Sequence, residues 1–266
     1  MVQISPVPQS KRPTETAAGH WVLARAGKKV LRPGGLKLTT RLLSQADIHG
    51  SRIIEFAPGL GRTAKIIVES GVASYLGVEQ DPDAAANVKQ VVTPYGGKVI
   101  DARAQDTGLP AASADVVVGE AMLTMQGEKG KNEIVAEAFR LISPGGCYAI
   151  HELGLVPNNI DLQLADALRK NLAKSIRVNA RPLTENEWCE VLKRAGFAIE
   201  WVGFEPMALL SLRRNLADEG LLGVVRILKN VILDKDLRQR VLAMRSTFSE
   251  YQKQLTGIAI IARKPQ

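Results

Sequence analysis

The chain has 266 residues, 45% of them hydrophobic, which is enough to bury one substantial core and argues for one large domain rather than two. Its net charge of +8 comes from dispersed lysines and arginines with few aromatics to stack on bases, which argues against nucleic acid and leaves a basic soluble surface, acidic substrates or lipid head groups. Two cysteines and three scattered histidines give neither a disulfide framework nor metal-ligand spacing, and no apolar run approaches the roughly 18 residues of a membrane span.

Met1 to about Gly19 holds Pro6, Pro8 and Pro13 among polar residues and lacks the apolar core of a signal peptide, so a mobile tail on a cytoplasmic protein is expected. Residues 20–266 then read as a single domain. From residue 51 to about 200, short apolar runs alternate with helical patterns, the signature of a doubly wound α/β sheet. Arg52–Phe56 is the first strand, followed by a helix from about Arg62 to Ser70 that Gly71 stops. The second strand, Ser74–Glu79, ends in an acid 24 residues after Glu55. Asp81 caps the next helix and Pro82 fits its first turn. Gly96–Ile100 and Asp115–Glu120 are the third and fourth strands. A helix from Asn132 to Ile142 turns through Ser143-Pro144-Gly145-Gly146 into the fifth, Cys147–Glu152. The two cysteines, Cys147 and Cys189, fall in a strand and a helix and read as buried thiols. Thr184-Glu185-Asn186-Glu187 is a capping box for a helix through Lys193, which Gly196 closes. Phe197–Val202 and Gly257–Ala262 complete seven strands.

The loop after the first strand carries the chemistry. Glu55-Phe56-Ala57-Pro58-Gly59-Leu60-Gly61 takes an apolar run through an acid and two glycines into a helix, letting backbone approach a ligand at the carboxyl end of the sheet. A dinucleotide fingerprint would need a third glycine where Arg62 stands, and Glu55 would repel a pyrophosphate. Both residues disfavour a nicotinamide oxidoreductase. Glu55 instead suits an ammonium, and S-adenosylmethionine has one, together with a sulfonium and no phosphate. Glu79, at the tip of the neighbouring strand, can accept hydrogen bonds from both hydroxyls of a ribose.

The segment resembles motif I of the class I S-adenosylmethionine-dependent methyltransferases, E/D-x-G-x-G-x-G, with Ala57 in place of the first glycine. Asp101 to Pro110 resembles the family's "GDA…LP" region, and Arg140-Leu141 before Pro144-Gly145-Gly146 resembles its turn into strand five. The resemblance spans about residues 50–265 and implies a Rossmann-like, doubly wound seven-stranded sheet with its last strand antiparallel. It implies S-adenosyl-L-methionine as cofactor, with Glu55, Phe56, Ala57, Pro58, Gly59 and Gly61 around its methionine end and Glu79 and Gln80 at the ribose. For the adenine, alignment on Leu109-Pro110 nominates Arg103, Ala104 and Gln105, while alignment on strand three nominates Asp101-Ala102; the former is preferred. Arg32-Pro33-Gly34-Gly35-Leu36-Lys37-Leu38-Thr39 resembles a lead-in that closes over the methionine end, and reads equally as a turn and a helix start.

At the reaction centre, His151 and Glu152 at the end of strand five and Glu120 at the end of strand four are the candidate bases. His151 is favoured because an imidazole titrates near neutral pH, and Glu120 is placed either as a base or on the cofactor. Residues 206–251 form a helical insertion expected to shape substrate choice. Its core, Leu221–Leu233, is apolar over more than one face with two basic residues, so it buries in the domain, covers an apolar pocket, docks on a second copy as a homodimer, or lies on a membrane. The expected activity is methyl transfer to a small, lipophilic acceptor without a metal. The alternatives are methylation of RNA or protein, which the strand-four loop Ala121-Met122-Leu123 does not encourage, and a non-catalytic module that binds the cofactor.

Overall fold

The computed structural model describes Pro8, residues 12–207 and residues 212–266. Among these, the chain opens with helices α1 (Gly19–Arg25) and α2 (Gly35–Gln45). The alternating part follows as β1 (Arg52–Phe56), α3 (Arg62–Glu69), β2 (Ser74–Glu79), α4 (Pro82–Val92), β3 (Lys98–Asp101) and β4 (Ala114–Glu120). Then come α5 (Glu128–Leu141), β5 (Ile142–Leu155), α6 (Leu162–Ile176), β6 (Leu183–Thr184), α7 (Glu185–Arg194) and β7 (Ala198–Pro206). The insertion supplies α8 (Leu212–Leu233) and α9 (Lys235–Glu250), and β8 (Leu255–Arg263) closes the sheet.

Strand order is β3-β2-β1-β4-β5-β8-β7, and β8 runs antiparallel to both of its neighbours. The short β6 is an eighth strand beyond the expected seven, adding Leu183 and Thr184 beside the end of β5. Side chains alternate across the pleat, so Ile53 of β1 joins an apolar layer with α2, α3 and α4, while Ile54 and Phe56 join the layer of α5 and α7. Glu55 falls on the first face, where an apolar residue would be expected, and is buried. A third cluster, built from α1, α6, α9 and the ends of β5 and β8, roofs the carboxyl edge of the sheet.

The capping box forms as expected, with Glu187 N–H donating to Thr184 Oγ1 and Thr184 N–H to Glu187 Oε2. One turn does not. β5 begins at Ile142, so Ser143-Pro144-Gly145-Gly146 is a bulge inside the strand, pairing passing from Ala114 with Ile142 to Val116 with Cys147. Glycine is required at 146 because a Cβ there would strike the Asp115 carbonyl oxygen. Residues 1–7 and 9–11 of the expected tail lie outside the described residues. Within residues 12–18, Ala17 and Ala18 are buried and Arg25 donates to the Arg12 carbonyl at 2.8 Å.

Candidate functional site

The loop between β1 and α3 is built to bring backbone close to a ligand. Ala57 sits at φ +49° and Gly59 at φ +58°, both left-handed, and a Cβ on Gly59 would meet nothing closer than 3.8 Å. Alanine in that region is strained, and Ala121, at the tip of β4 across the same opening, is strained likewise at φ +54°. Glu79 ties two turns together, its Oε2 accepting from Gly59 N–H and its Oε1 from Asp81 N–H, each at 3.0 Å. Glu55 Oε2 accepts from the Tyr75 hydroxyl at 2.6 Å.

A cleft of about 430 Å³ opens over these strand tips. Of the residues expected around a cofactor, Glu55, Ala57, Pro58 and Gly59 line it from the first loop, and Glu79 and Gln80 from the second. Ala104, Gln105 and Glu120 line it from beyond β3 and β4. Three expected residues do not. The Phe56 side chain is fully buried against the α5 layer, edge-on to Tyr148. Gly61 faces α4 instead, where a Cβ would meet Val91 at 3.4 Å, so it sets helix packing. Arg103 does not line the cleft, and the competing register is half represented, since Ala102 lines the cleft and Asp101 does not.

Beneath the cleft lies a buried polar cluster. The Arg32 guanidinium donates through Nη1 to Glu120 Oε2, Thr63 Oγ1 and Thr39 Oγ1, while its Nε and Nη2 have no partner among the described residues. Thr39 donates to Glu120 Oε1 at 2.5 Å, and His151 Nδ1 lies 2.8 Å from the same oxygen. Gly34 N–H donates to His151 Nε2 at 3.0 Å, which fixes the proton on Nδ1 and directs it to Glu120. His151 is fully buried, with both ring nitrogens engaged, and it does not line the cleft. Glu152 is also fully committed, accepting from Met122, Leu123 and Thr124 N–H groups and from Thr124 Oγ1 at 2.7 to 3.0 Å. It shapes the turn that follows β4.

The carboxylates are driven in opposite directions. Burial alone would push Glu120 up, but the Arg32 guanidinium and the His151 N–H override it and hold the group well below the usual carboxylate range. Burial pushes Glu55 up to about 8; the Tyr75 hydrogen bond opposes this and repulsion from Glu120 adds to it. Burial also raises Glu79, against the pull of the Asp81 and Gly59 N–H groups. The cleft therefore offers one firmly ionised acid and one poised to lose a proton when a cation arrives.

A second, apolar chamber of about 90 Å³ adjoins the cleft, walled by Leu153, Ile176, Met207, Met244 and Phe248. His20, Leu31, Ala121, Met125 and Val178 line both spaces, so the two meet at the tip of β4. His20 is the chamber's titratable side chain; burial lowers it to about 4, opposed by Asp81. His20 and Trp21 are cleft residues that sequence reasoning did not nominate, and Arg32 was singled out there only as part of the lead-in. The Arg32-Pro33-Gly34-Gly35 lead-in pointed to the right loop, which lies so close to β8 that a Cβ on Gly257 would strike the Gly34 backbone. No sequence signal marked His20.

Residues 54–150 match the family described as a methyltransferase domain. An uncharacterised protein of Haemophilus influenzae is 32% identical over 251 residues, covering 92% of this chain and 98% of that one. Among solved structures, phosphoethanolamine N-methyltransferase 2 of Haemonchus contortus with S-adenosyl-L-methionine superposes with a TM-score of 0.70 at 16% identity, over 100% of this chain and 61% of that one. The [4+2]-cyclase SpnF superposes with a TM-score of 0.65 at 16% identity, over 86% of this chain and 80% of that one. At these identities the structural likenesses show the fold.

Proposed function

Because the chain belongs to the class I S-adenosylmethionine-dependent methyltransferases, we propose that it moves a methyl group from S-adenosylmethionine in the cleft to a small apolar acceptor in the adjoining chamber. The observation that carries this reading is that Glu55 and Glu79, from neighbouring strands, line one cleft that meets an apolar space at Ala121.

The residues fit the cofactor. Glu55 would take its ammonium and the unpaired Nε and Nη2 of Arg32 its carboxylate, a fork suited to a planar anion. Glu79 keeps lone pairs beyond its two backbone bonds for the ribose hydroxyls, and Gln80, Ala104 and Gln105 flank the space left for the base. When bound, S-adenosylmethionine supplies an activated methyl group on a sulfonium. The protein's part is alignment and exclusion of water, and alignment alone accounts for about 7–11 kcal/mol in comparable reactions. His151 holds Glu120 and the Gly34 amide in place rather than removing a proton, since neither of its nitrogens is free. His20, neutral at physiological pH and facing both spaces, accepts the hydrogen bond of an acceptor hydroxyl or amine.

Glu55 makes the binding step testable by its proton. Its value of about 8 leaves it mostly neutral at pH 7 in the empty cleft, whereas a neighbouring ammonium favours the carboxylate, so binding expels a proton. Affinity for S-adenosylhomocysteine should rise with pH between 6 and 7.5, by up to about tenfold per unit, and flatten above the Glu55 value. Calorimetry at pH 7 in buffers of different ionisation enthalpy should report release of about one proton, absent in Glu55→Gln. Binding without proton release removes Glu55 from the ammonium; no binding removes the methyltransferase reading.

The chamber has its own measurement. His20→Phe should lower turnover about 10²-fold while leaving cofactor affinity nearly unchanged, because the ring acts on the acceptor side. Equal losses in both would place His20 in cofactor binding instead. The non-catalytic alternative predicts cofactor binding with no S-adenosylhomocysteine formed from any apolar hydroxyl or amine acceptor.

A further inference from the structure

Beyond its break at Gly220, helix α8 is apolar on two faces. On its inner face Val224 is buried, Ile227 and Val231 pack against the third cluster, and Asn230 donates to the Ala26 carbonyl at 3.2 Å. Its outer face is not polar. Leu221, Val225, Leu228 and Ile232 follow one another at helical spacing of four, three and four residues, and with Leu222 and Leu233 they are 49–86% exposed. Leu242 of α9 is exposed as well. An apolar strip about 20 Å long, from residue 221 to 233, exceeds what scattered surface leucines explain.

The charges beside the strip identify its partner. Leu222, Arg226, Lys229 and Leu233 form a second row along the helix, two exposed cations bracketed by leucines, and residues 221–233 contain no acid. In α9, Lys235 and Arg238 are balanced by Asp234 and Asp236, so Arg226 and Lys229 are the excess cations beside the strip. The surrounding chain carries a net charge of +8. Burying this second row against another copy would strip water from unpaired cations of the same sign, which is costly. An anionic bilayer accommodates both rows: leucines enter the acyl boundary while lysine and arginine stems extend to the phosphates. No helix among the described residues is long and apolar enough to cross a membrane, so α8 would lie in the surface.

We propose that the outer face of α8 docks the protein on an anionic phospholipid surface. The arrangement also connects to the chamber. Helix α9, which packs against α8, supplies Met244 and Phe248 to the chamber wall, so docking would set the apolar space close to lipid.

Co-sedimentation of the full chain with phosphatidylcholine vesicles, with and without phosphatidylglycerol, tests the assignment. Binding should require the anionic lipid and weaken with salt. Arg226→Gln with Lys229→Gln should reduce it roughly 30-fold, about fivefold per cation. Leu221→Ser with Val225→Ser and Ile232→Ser should abolish it. These positions lie away from the cleft, so S-adenosylhomocysteine affinity, read by calorimetry, should stay at the wild-type value in both variants and certify their fold. Equal binding to neutral and anionic vesicles, or none to either, overturns the proposal. So does a dimer, by light scattering, that the serine variant converts to monomer without any vesicle binding in the wild type.

Discussion

Replacing Arg32 by methionine should destabilise the protein by about 3–5 kcal/mol, read as a fall in the urea midpoint at pH 7. Arg32 is 5% exposed and Glu120 is held well below the carboxylate range chiefly by that guanidinium, so removing it leaves a buried charge uncompensated. The sign with pH is fixed. Glu120's folded value is depressed, so the stability it contributes is present above the unfolded range near 4.3 and is lost as pH falls through the depressed value. In the variant the depression is gone and Glu120 takes up a proton early. The gap between wild type and variant is therefore widest at neutral pH and shrinks on acidification; a gap that widens in acid contradicts the pairing. Arg32→Met combined with Glu120→Gln removes both charges, and at least half of the loss should return. Cofactor affinity should not return with it, because the carboxylate fork is still missing.

Glu79→Ala should weaken S-adenosylhomocysteine binding about 100-fold by calorimetry. Two ribose hydrogen bonds to an ionised acceptor are lost, each worth about 1.5–3 kcal/mol in a buried setting, and part of that is recovered by water. The same change frees the Gly59 and Asp81 N–H groups and relaxes both turns. Glu79→Gln separates the two effects: it keeps one acceptor but turns a donor toward a backbone N–H, so it should fall between wild type and alanine. Wild-type affinity in both variants would dissociate the tip of β2 from the nucleoside.

The strand tips were legible because their signals are local. Glu55 before a glycine turn and Glu79 ending the next apolar run predict two acids at one edge of a parallel sheet, and both line the cleft. The capping box at Thr184 and Glu187 was legible for the same reason, its partners lying three residues apart. What stayed hidden depends on distant partners. His151 looks like a base from its place in the chain, yet Gly34, 117 residues earlier, takes its second nitrogen. Arg32 meets Glu120 across 88 residues, and no pattern around either announces the other. Phe56 and Gly61 belong to the motif but serve packing, since alternate residues of a strand and opposite sides of a helix face different layers. The bulge in β5 was hidden because proline and paired glycines signal a turn whether or not pairing resumes around them.

Helix α8 is broken at Gly220, and the turn just before the break is fastened by two neighbouring acids. Asp218 accepts from Leu36 N–H at 3.2 Å, and Glu219 accepts from Lys29 and Val30 N–H groups at 2.7 Å each. Apart from the buried Lys28 ammonium, 3.9 Å from Glu219 Oε1, every donor in this clasp is main chain. Substitutions at 29, 30 or 36 therefore leave the fastening intact provided proline is avoided, while a change at either acid unclips the span that carries Arg32. Tolerance to mutation should be lopsided across this seam, permissive at 29, 30 and 36 but strict at Lys28 and at both acids.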